Sequence, residues 1–581
     1  METRNCQNCK NEFTIEPEDF NFYKKIKVPP PTFCPECRTV RRLCWRNEMS
    51  LFHRKCDVPG HEEMLISFLP LEEKLTVYDS NAWWGDSWDP LSYGKEYDFS
   101  KPFFEQWKDL RNKIPLQSLS NINATNSDYC NFAEDNKDCY MCSGVWKSER
   151  TLYSNRISEI KDSADLYTVF RSELCYDDVN CSDNYHLLYS LNCKSCVDSY
   201  FLYDCVGCTD CFGCSNLRSK SYCMWNEQLS REEYLRRLAE YDLKDFNTIQ
   251  ELKKKFKELC LKSLHRFAVK IKTVNSTGDN LEGTKNCKIC FDANDRIEDT
   301  KYSNWLNIDV KDTYDSGPGI GEVELVYESF DTGVGGFRNF FAGTVYGSND
   351  IEYSFNCHGC SNLFGCIGLR NKKYYILNKQ YSKEEYEKLI PKIKGQMMEV
   401  PYVDKRGIVY KYGEFFPVEL STFCYNETQA QDYFPMDKER AKKMGYRWRD
   451  RKHNEYEITI ESKDLPDNLD DVEDSITEEI IGCANKETSS NYCRGAYKIT
   501  TDELNLYRRL GVPLPRLCFL CRHENRLKIR NPMKLWHRSC MCEKENHSHE
   551  KEKCEVEFET SYAPDRPEIV YCEKCYQQEV Y

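Results

Sequence analysis

The sequence contains no long apolar segment and no excess of basic residues. No stretch approaches the roughly 20 apolar residues of a membrane-spanning helix, which excludes a protein of that class. Asp and Glu, 95 in all, outnumber the 81 Lys and Arg and give a net charge of -14. The chain as a whole therefore does not bind nucleic acid through bulk electrostatic attraction.

The common catalytic signatures are missing as well. The sequence holds no HExxH motif, no GxSxG motif and no P-loop. The Gly-rich segments 317–321 and 333–336 are not followed by a helical pattern, so we interpret them as turns. We therefore predict no catalytic residue. An enzyme is the alternative, either a carbohydrate-active solenoid or an iron–sulfur redox protein in which zinc is only structural.

Cysteine is abundant, with 34 residues among 581. The first ten residues are polar and include two of these cysteines, which is not the pattern of a secretory signal. We therefore expect the protein in the reducing cytoplasm. In that compartment, closely spaced Cys pairs more often bind metal than form disulfides.

Two internal duplications organise the chain. A shift of 484 residues aligns 9–56 with 493–540 without a gap, and 19 of the 48 positions are identical. A shift of 152 residues aligns 205–238 with 357–390. The first duplication predicts the same module at both ends of the chain, and the second predicts two related halves in the middle.

Pairs of Cys separated by two residues give the strongest chemical signal in the terminal modules. Two such pairs can close a tetrahedral site of four thiolates, with Zn–S bonds of about 2.3 Å. A small module uses such a site because its own core is too small to fix the chain. The predicted ligands are Cys6, Cys9, Cys34 and Cys37 at the N-terminus, and Cys483, Cys493, Cys518 and Cys521 in the C-terminal copy.

A second zinc site is predicted near the C-terminus, where five Cys compete for four positions. We favour Cys542, Cys554, Cys572 and Cys575, with Cys540 as the rival of Cys542. His547 and His549 lie in a polar segment, and we interpret them as solvated loop residues. The sequence thus predicts two to three structural zinc ions.

The N-terminal counterpart of this second site departs from the pattern. On a looser alignment, Asp79 and Ala82 stand where the last two Cys of the C-terminal site stand. We infer a relic of the module without metal. Three neighbouring aromatic side chains would hold it together instead: Trp83, Trp84 and Trp88.

The middle of the chain carries short motifs such as Asp138-Cys-Tyr and Asp165-Leu-Tyr. They recur every 9–15 residues between Asn, Asp, Ser and Gly, without helical periodicity. This spacing favours a parallel β-solenoid with about two strand motifs per coil over a sandwich or a barrel. Ser230 and Ser382, each followed by Glu three residues later, predict a capped helix after each half.

A run of four cysteines in the first half is spaced by three residues: Cys205, Cys208, Cys211 and Cys214. Iron–sulfur ferredoxins also carry clustered Cys, but their run closes with a different spacing. The second copy has Leu363 at the third position, where a cluster ligand would remain Cys. We interpret the run as buried structural thiols, with zinc or an iron–sulfur cluster as the alternatives.

Local charge runs against the global sign at both ends. The segments 38–56 and 516–538 carry net charges of +5 and +6. Arginine beside Trp suits phosphate contacts and base stacking, which makes RNA a candidate partner besides protein. The candidate nucleic-acid contacts are Arg38, Arg42, Arg46, Arg522, Arg526 and Arg530. The alternative is that these arginines brace the modules or pair with the acidic middle.

The N-terminal pattern Cys-x2-Cys, Phe-x-Ile, Phe-Tyr and Cys-Pro-Glu-Cys-Arg resembles the small zinc-ribbon domains of bacterial proteins. The whole arrangement resembles large, uncharacterised Cys-rich proteins of uncultured, ultrasmall bacteria. Its marks are the segments 530–538 and 559–572 and the two Cys-Phe-Gly-Cys-like repeats. The resemblance implies zinc and a cytoplasmic setting, and it implies no particular activity.

Together these features predict an α+β, β-rich chain, in which two β-solenoid-like halves are flanked by zinc-ribbon modules, with interspersed helices. The predicted parts are the N-terminal ribbon with its degenerate partner (1–90), a helical connector (91–119), the first solenoid half (120–228), a helical insert (229–268), the second half (269–380), a helix and linker region (381–480) and a C-terminal double ribbon (481–581). The predicted function is a zinc-binding, non-catalytic binding or assembly scaffold that acts through its Arg-rich ribbons on protein or RNA.

Overall fold

The computed structural model describes residues 1–72, 74–127, 129–450, 456–486, 493–547, 549 and 552–581. The predicted fold class is confirmed: the chain is β-rich with 24% helix, a β-solenoid occupies the middle and cysteine clusters lie near both ends. The chain divides into two compact units, a first unit of 1–119 with 268–449 and a second unit of 120–267 with 450–581. Each unit therefore joins a terminal module to the solenoid half that lies farther from it in sequence.

The first unit contains the N-terminal module and the second solenoid half. Its solenoid strands are Lys270–Ile271, Gly278–Lys285, Cys290–Glu298, Asn304–Tyr314, Ile320–Tyr327, Phe330–Gly333, Gly336–Phe340, Gly343–Tyr346, Asn349–Glu352, Phe355–His358, Ser361–Phe364, Lys373–Ile376 and Lys379–Gln380. Its other strands are Glu2–Asn5, Glu12–Ile15, Phe52–Lys55, Met64–Ser67, Val77–Tyr78, Leu116–Gln117, Tyr402–Val403 and Val409–Tyr410. Its α-helices are Pro17–Ile26, Pro35–Leu43, Ser80–Trp84, Phe103–Arg111, Lys383–Glu399, Gln429–Tyr433 and Lys438–Lys443.

The second unit contains the first solenoid half and the C-terminal modules. Its solenoid strands are Asn121–Ile122, Asn131–Glu134, Ser143–Trp146, Glu149–Leu152, Asn155–Ala164, Tyr167–Glu173, Val179–Ser182, Tyr185–Leu188, Val197–Tyr200, Cys223–Met224 and Glu227–Gln228. Its other strands are Leu264–Arg266, Ile460–Glu461, Ile481–Gly482, Ala496–Tyr497, Trp536–Ser539, Glu557–Thr560 and Ile569–Tyr571. Its α-helices are Arg231–Leu238, Phe246–Lys262, Thr501–Leu510, Phe519–Ile529 and Glu573–Val580.

Twelve residues make one coil of the solenoid in the second unit. Asn131 pairs in parallel with Ser143, Ser143 with Asn155, and Asn155 with Tyr167, each twelve residues further along the chain. In the first unit the step lengthens to 13 or 14 residues in places, where bulges interrupt the register. Successive coils therefore stack as a continuous parallel ladder.

Each twelve-residue coil has four short sides of three residues. From Phe132 to Trp225, every third residue has a positive φ, which turns the chain at a corner. Asp and Asn occupy many of these corners, because they adopt the left-handed conformation more readily than other non-glycine residues. The prediction of about two strand motifs per coil is therefore wrong. The recurring Asp marks a corner, and there are four corners per coil.

The narrow interior of the coil explains the central cysteines. Three residues at about 3.3 Å each make a side of about 10 Å, so only four compact side chains fit inside one coil. The inward position recurs every third residue and is mostly Cys, Ser, Val or Leu. The thiol of Cys139 donates to the carbonyls of Lys137 and Ser148, at 3.5 and 3.4 Å. Inward thiols thus fill the core and also satisfy backbone carbonyls.

One outer face of each solenoid is apolar and is covered by a helix of a terminal module. In the second unit, the ring of Tyr507 meets Tyr176 at a centroid distance of 5.9 Å. In the first unit, the ring of Tyr23 meets Tyr327 at 5.6 Å. Tyr23 and Tyr507 are equivalent positions of the duplicated module, 484 residues apart. The two modules therefore pack on their solenoids through the same contact.

A helix follows each solenoid half, as the capping sequences predict. Ser382 and Glu385 form a complete capping box, whereas Ser230 caps its helix through one hydrogen bond, from the Glu233 amide. After the first half this helical region consists of two helices, Arg231–Leu238 and Phe246–Lys262. Among the described residues, no helix is both long enough and apolar enough to cross a membrane.

Replacing Cys211 tests the narrow interior. Cys211 is fully buried, and its amide donates to the hydroxyl of Ser199, the inward residue of the preceding coil, at 3.1 Å. We expect Cys211→Ser to change the free energy of unfolding by about 1 kcal/mol or less, since a hydroxyl fits and finds the same acceptors. We expect Cys211→Phe to cost about 3 kcal/mol through overpacking. Urea unfolding followed by circular dichroism measures both, and equal losses would contradict a size limit.

Candidate metal centres

Three groups of four cysteines bring their sulfur atoms together. Within each group the four sulfurs lie within 4.8 Å of one another, close enough for one tetrahedral ion. The N-terminal tetrad is Cys6, Cys9, Cys34 and Cys37; the Cys483 tetrad is Cys483, Cys493, Cys518 and Cys521; the C-terminal tetrad is Cys540, Cys554, Cys572 and Cys575. Sets of four thiolates suit a soft or borderline metal ion.

All three tetrads are built by the same local structure. The first Cys of the second pair is each time the N-cap of a helix, and its backbone amide donates to the first sulfur of the tetrad. These bonds run from Cys34 to Cys6 at 3.3 Å, from Cys518 to Cys483 at 3.3 Å and from Cys572 to Cys540 at 3.2 Å. The helix N-terminus and the amide both favour a thiolate over a thiol. The repeated bond also places Cys483 as the fourth member of its tetrad.

Neighbouring thiols lower the pKa of Cys6 in the N-terminal tetrad and of both Cys493 and Cys518 in the Cys483 tetrad, which favours ionisation of these sulfurs. Hydrogen bonds from Cys34 and Cys37 hold the pKa of Cys6 well below its ordinary value. In the Cys483 tetrad, the thiol of Cys483 is the main cause that lowers the pKa of Cys493 to about 7. A site that is partly ionised at neutral pH releases fewer protons when a metal binds.

The C-terminal tetrad corrects the expected choice between Cys540 and Cys542. Cys540 follows the strand Trp536–Ser539, which pairs with Glu557–Thr560 and so holds Cys540 near Cys554. The five cysteines do not compete for four positions, because Cys542 belongs to another group. Its partners are His547, His549 and Cys575, and their ligand atoms also lie within 4.8 Å of one another. The two histidines, expected to be solvated, are half-buried.

The N-terminal hairpin, formed by the strands Phe52–Lys55 and Met64–Ser67, carries a reduced version of the C-terminal tetrad. Cys56 follows the strand Phe52–Lys55, as Cys540 follows its own strand. The Cys56 sulfur lies 3.8 Å from His61 Nδ1 and 3.6 Å from Asp79 Oδ2. Three ligand-type atoms are therefore close together where the C-terminal tetrad has four.

His61 is the member of this group that the sequence analysis missed. It stands three residues before its strand, Met64–Ser67, as Cys554 stands three residues before Glu557–Thr560. This equal spacing before the second strand of each hairpin is the sequence signal from which His61 could have been predicted. The expected aromatic support is present, since Trp83 is buried in one cluster with Cys56. The expected absence of metal from this group stays a prediction.

The central cysteine run lies inside one coil of the solenoid. Its sulfurs bond to backbone carbonyls; that of Cys214, for example, donates to Phe212 at 3.3 Å. Burial raises the pKa of Cys214 to about 12, whereas hydrogen bonds from neighbouring thiols lower that of Cys208. The metal-type groups found among the described residues do not include the run. This placement fits the interpretation as structural thiols.

In the first unit, arginines of the helix Pro35–Leu43, which begins within the second Cys pair, are buried against solenoid carboxylates. Arg38 Nε lies 2.8 Å from Asp315 Oδ1, and Arg41 Nη2 lies 2.6 Å from Glu328 Oε1. Arg42 Nη1 lies 3.5 Å from the other oxygen of Glu328. Burial raises the pKa of Glu328 above its ordinary value, and the charges of Arg41 and Arg42 oppose that rise. The ion pairs fasten the N-terminal module to its solenoid.

The second unit repeats this arrangement. Arg522 Nε lies 3.0 Å from Asp165 Oδ2, and Arg526 Nη1 lies 2.8 Å from Asp165 Oδ1. Asp165 occupies a corner of the coil, with a φ of 59°. Arg522 donates through Nη1 to the carbonyl of Leu517, as its counterpart Arg38 donates to the carbonyl of Phe33. The duplicated module thus uses equivalent arginines for equivalent contacts.

These contacts change the interpretation of the candidate nucleic-acid residues. Five of the six are buried within their own unit: Arg38, Arg42, Arg46, Arg522 and Arg526. Arg46 pairs with Glu48 and Asp331, at 2.6 and 3.2 Å. A buried guanidinium that faces carboxylates is not available to a phosphate, so the prediction is corrected for these five residues. Arg530 is half-buried and lies over the ring of Tyr167, 5.7 Å from its centroid.

No protein-family model matches the chain, and no curated protein is similar enough to count as a relative. The functional evidence is therefore the geometry of the chain itself.

Removing one thiolate from a tetrad tests whether the tetrads hold metal. We expect Cys34→Ser and Cys518→Ser each to lower the metal content by one ion per chain and to lower the melting temperature, because a four-thiolate site loses most of its affinity with three. Cys211→Ser is the matched control and leaves the metal content unchanged. Elemental analysis of the purified full chain gives the counts. Metal loss from the control, or none from the tetrad variants, would contradict the assignment.

Replacing Glu328 tests the buried ion pairs. Glu328→Gln keeps the side-chain shape but leaves the charges of Arg41 and Arg42 less compensated in the interior. We expect a loss of about 3–5 kcal/mol in the free energy of unfolding. Glu149→Gln is the control, since the Glu149 side chain is 37% exposed and the loss of its ion pairs with Lys137 and Arg150 should cost about 1 kcal/mol or less. Denaturant unfolding distinguishes the two, and a similar small loss in both would mean that the buried pairs do not fasten the module.

Proposed function

We propose that the protein is a zinc-dependent, non-catalytic scaffold that binds a protein partner through an exposed face of its solenoids. The observation that carries the proposal is a duplicated surface. Both solenoids present Lys, Glu, Lys, Glu and an aromatic residue in successive coils of one face. In register order these are Lys137, Glu149, Lys161, Glu173 and Tyr185 in the second unit, and Lys285, Glu298, Lys311, Glu324 and Phe337 in the first.

The aromatic residue at the end of this ladder is the part that internal packing does not explain. Alternating charges stabilise neighbouring coils by themselves, as the Lys137–Glu149 and Lys285–Glu298 pairs do at 3.9 Å. Tyr185 and Phe337 are nevertheless 46% and 38% exposed. Exposed aromatic side chains rimmed by polar groups are typical anchors of protein interfaces. The same anchor in both units favours a binding role for this face.

The charge pattern favours protein over RNA as the partner. Each Lys of the ladder stands beside a Glu, so the face offers no continuous positive track to a phosphate backbone. A protein surface can match alternating charges residue by residue. Five of the six candidate arginines are buried within their own unit, where Arg38, Arg522 and Arg526, for example, pair with solenoid carboxylates.

Zinc is the ion proposed for the three tetrads, because closed sets of four thiolates are typical of structural zinc. In this proposal the metal fixes the terminal modules, and the modules cover the apolar face that each solenoid would otherwise expose. The cytoplasmic location and the resemblance to Cys-rich proteins of ultrasmall bacteria stay predictions.

Capture of partners from a ribonuclease-treated bacterial lysate tests the proposed surface. The bait is the full chain, compared with the double variant Tyr185→Ser, Phe337→Ser and with the control Phe99→Ser, which removes an aromatic that is 43% exposed elsewhere. We expect the double variant to lose at least about ten-fold in captured protein at unchanged metal content, as for a hot-spot residue. Equal capture by all three chains would contradict the proposal, as would capture that occurs only when the ribonuclease treatment is omitted.

A further inference from the structure

The C-terminal tetrad shares one cysteine with a second group of ligands. Cys575 belongs to the tetrad, and it also belongs to the group of Cys542, His547 and His549. In both groups, all ligand atoms lie within 4.8 Å of one another. Cys542 and Cys575 are buried, with 0% and 1% of their surface exposed. Two sets of four ligands therefore meet at a single sulfur.

The two histidines are oriented toward the Cys542 sulfur. His547 Nδ1 lies 3.1 Å and His549 Nε2 lies 3.4 Å from this sulfur. The other ring nitrogen of His547, Nε2, lies 2.7 Å from Glu579 Oε1, and the His547 side chain is only 6% exposed. A carboxylate that holds the far nitrogen of a histidine is the usual support of a metal-ligating imidazole.

We propose that this end of the second unit holds two metal ions, bridged by the thiolate of Cys575. The first ion lies in the C-terminal tetrad, and the second takes Cys542, His547, His549 and the shared Cys575. A thiolate sulfur has enough lone pairs for two metal bonds. Bonds of about 2.3 Å to each ion keep the ions within about 5 Å of each other. Mixed sulfur and imidazole ligands suit zinc in the second position, as they do in Cys2His2 sites.

Sharing a sulfur also improves the local charge balance. The bridged pair contains five thiolates, two neutral imidazoles and two divalent ions, and its net charge is -1. A single divalent ion bound by four thiolates has a net charge of -2. The amino end of the helix Glu573–Val580 faces this charge, because Cys572 is its N-cap. The bridged pair is therefore less costly to bury than two separate four-thiolate centres.

The duplicated N-terminal hairpin provides an internal comparison. Val58 stands two residues after Cys56, where Cys542 stands two residues after Cys540. Ala82 stands where Cys575 stands. The N-terminal copy therefore lacks both sulfurs that the second ion needs. The two positions therefore differ as a pair: both are Cys in the C-terminal copy, at Cys542 and Cys575, and neither is Cys in the N-terminal copy.

Metal counting on variants of the full chain tests the second site, which rests on the proposed zinc binding by the tetrads. The double variant His547→Gln, His549→Gln should bind one zinc ion fewer per chain than the wild type. Cys575→Ser should bind fewer ions than that double variant, because it damages both sites. The control His537→Gln changes an exposed histidine outside the group and should keep the full count. Glu579→Gln should retain the site but weaken its zinc affinity ten- to a hundred-fold.

The bridge itself has a separate spectroscopic signature. After replacement of zinc by cadmium-113, two ions that share Cys575 should give two resonances split by coupling through the sulfur, and the double histidine variant should lose one resonance and the splitting. A double variant with the wild-type zinc count would overturn the second site. The N-terminal tetrad and the Cys483 tetrad share no sulfur and give unsplit resonances in any case, so a spectrum in which no resonance is split would overturn the bridge. A chain without zinc in any tetrad would instead overturn the proposed zinc dependence, so the failures are distinguishable.

Discussion

The width of the coil is the constraint on which the rest of the structure depends. A coil of twelve residues with four corners leaves room for four compact inward side chains, and this selects Cys, Ser, Val and Leu at every third position. The corners require a positive φ, which selects Asp and Asn. Those corner carboxylates then supply the charges that bind the arginines of the terminal modules, as Asp165 does for Arg522 and Arg526. One geometric limit thus accounts for the cysteine content, the acidic middle and the attachment of the modules.

The sequence was sufficient for the parts that depend on local spacing. The Cys pairs of the N-terminal tetrad predicted which sulfurs come together, because a short loop and a helix start bring such pairs face to face without long-range information. The duplication then predicted three members of the Cys483 tetrad, since Cys493, Cys518 and Cys521 are equivalent to Cys9, Cys34 and Cys37. The choice between Cys540 and Cys542 could not be made in this way. It depends on the pairing of Trp536–Ser539 with Glu557–Thr560, which fixes which side chain faces Cys554.

The parts that failed depend on three-dimensional placement. The recurring motifs of the solenoid could be read from the sequence. The three-residue repeat of inward, outward and corner positions could not, because Tyr, Leu and Ser occur at all three kinds of position. Clusters of arginine near Trp suggested an RNA surface, because charge in a sequence carries no information on burial. Only the fold shows that Arg38 faces Asp315, at a separation of 277 positions along the chain. The pairing of each terminal module with the more distant solenoid half was likewise not visible in the order of segments.

That interleaved order has a consequence for synthesis on the ribosome. The first solenoid half is complete by residue 228, and the helices Arg231–Leu238 and Phe246–Lys262, made directly afterwards, cover part of its apolar face. The helix Thr501–Leu510, which covers the part around Tyr176, is made more than 270 residues later. At a synthesis rate of about 5–20 residues per second, Tyr176 and its neighbours stay uncovered by this helix for a time on the order of tens of seconds. The nascent chain must therefore be shielded over that interval, by a chaperone or by transient contacts of its own. A truncation near the C-terminus would then harm the part of the protein that was made early.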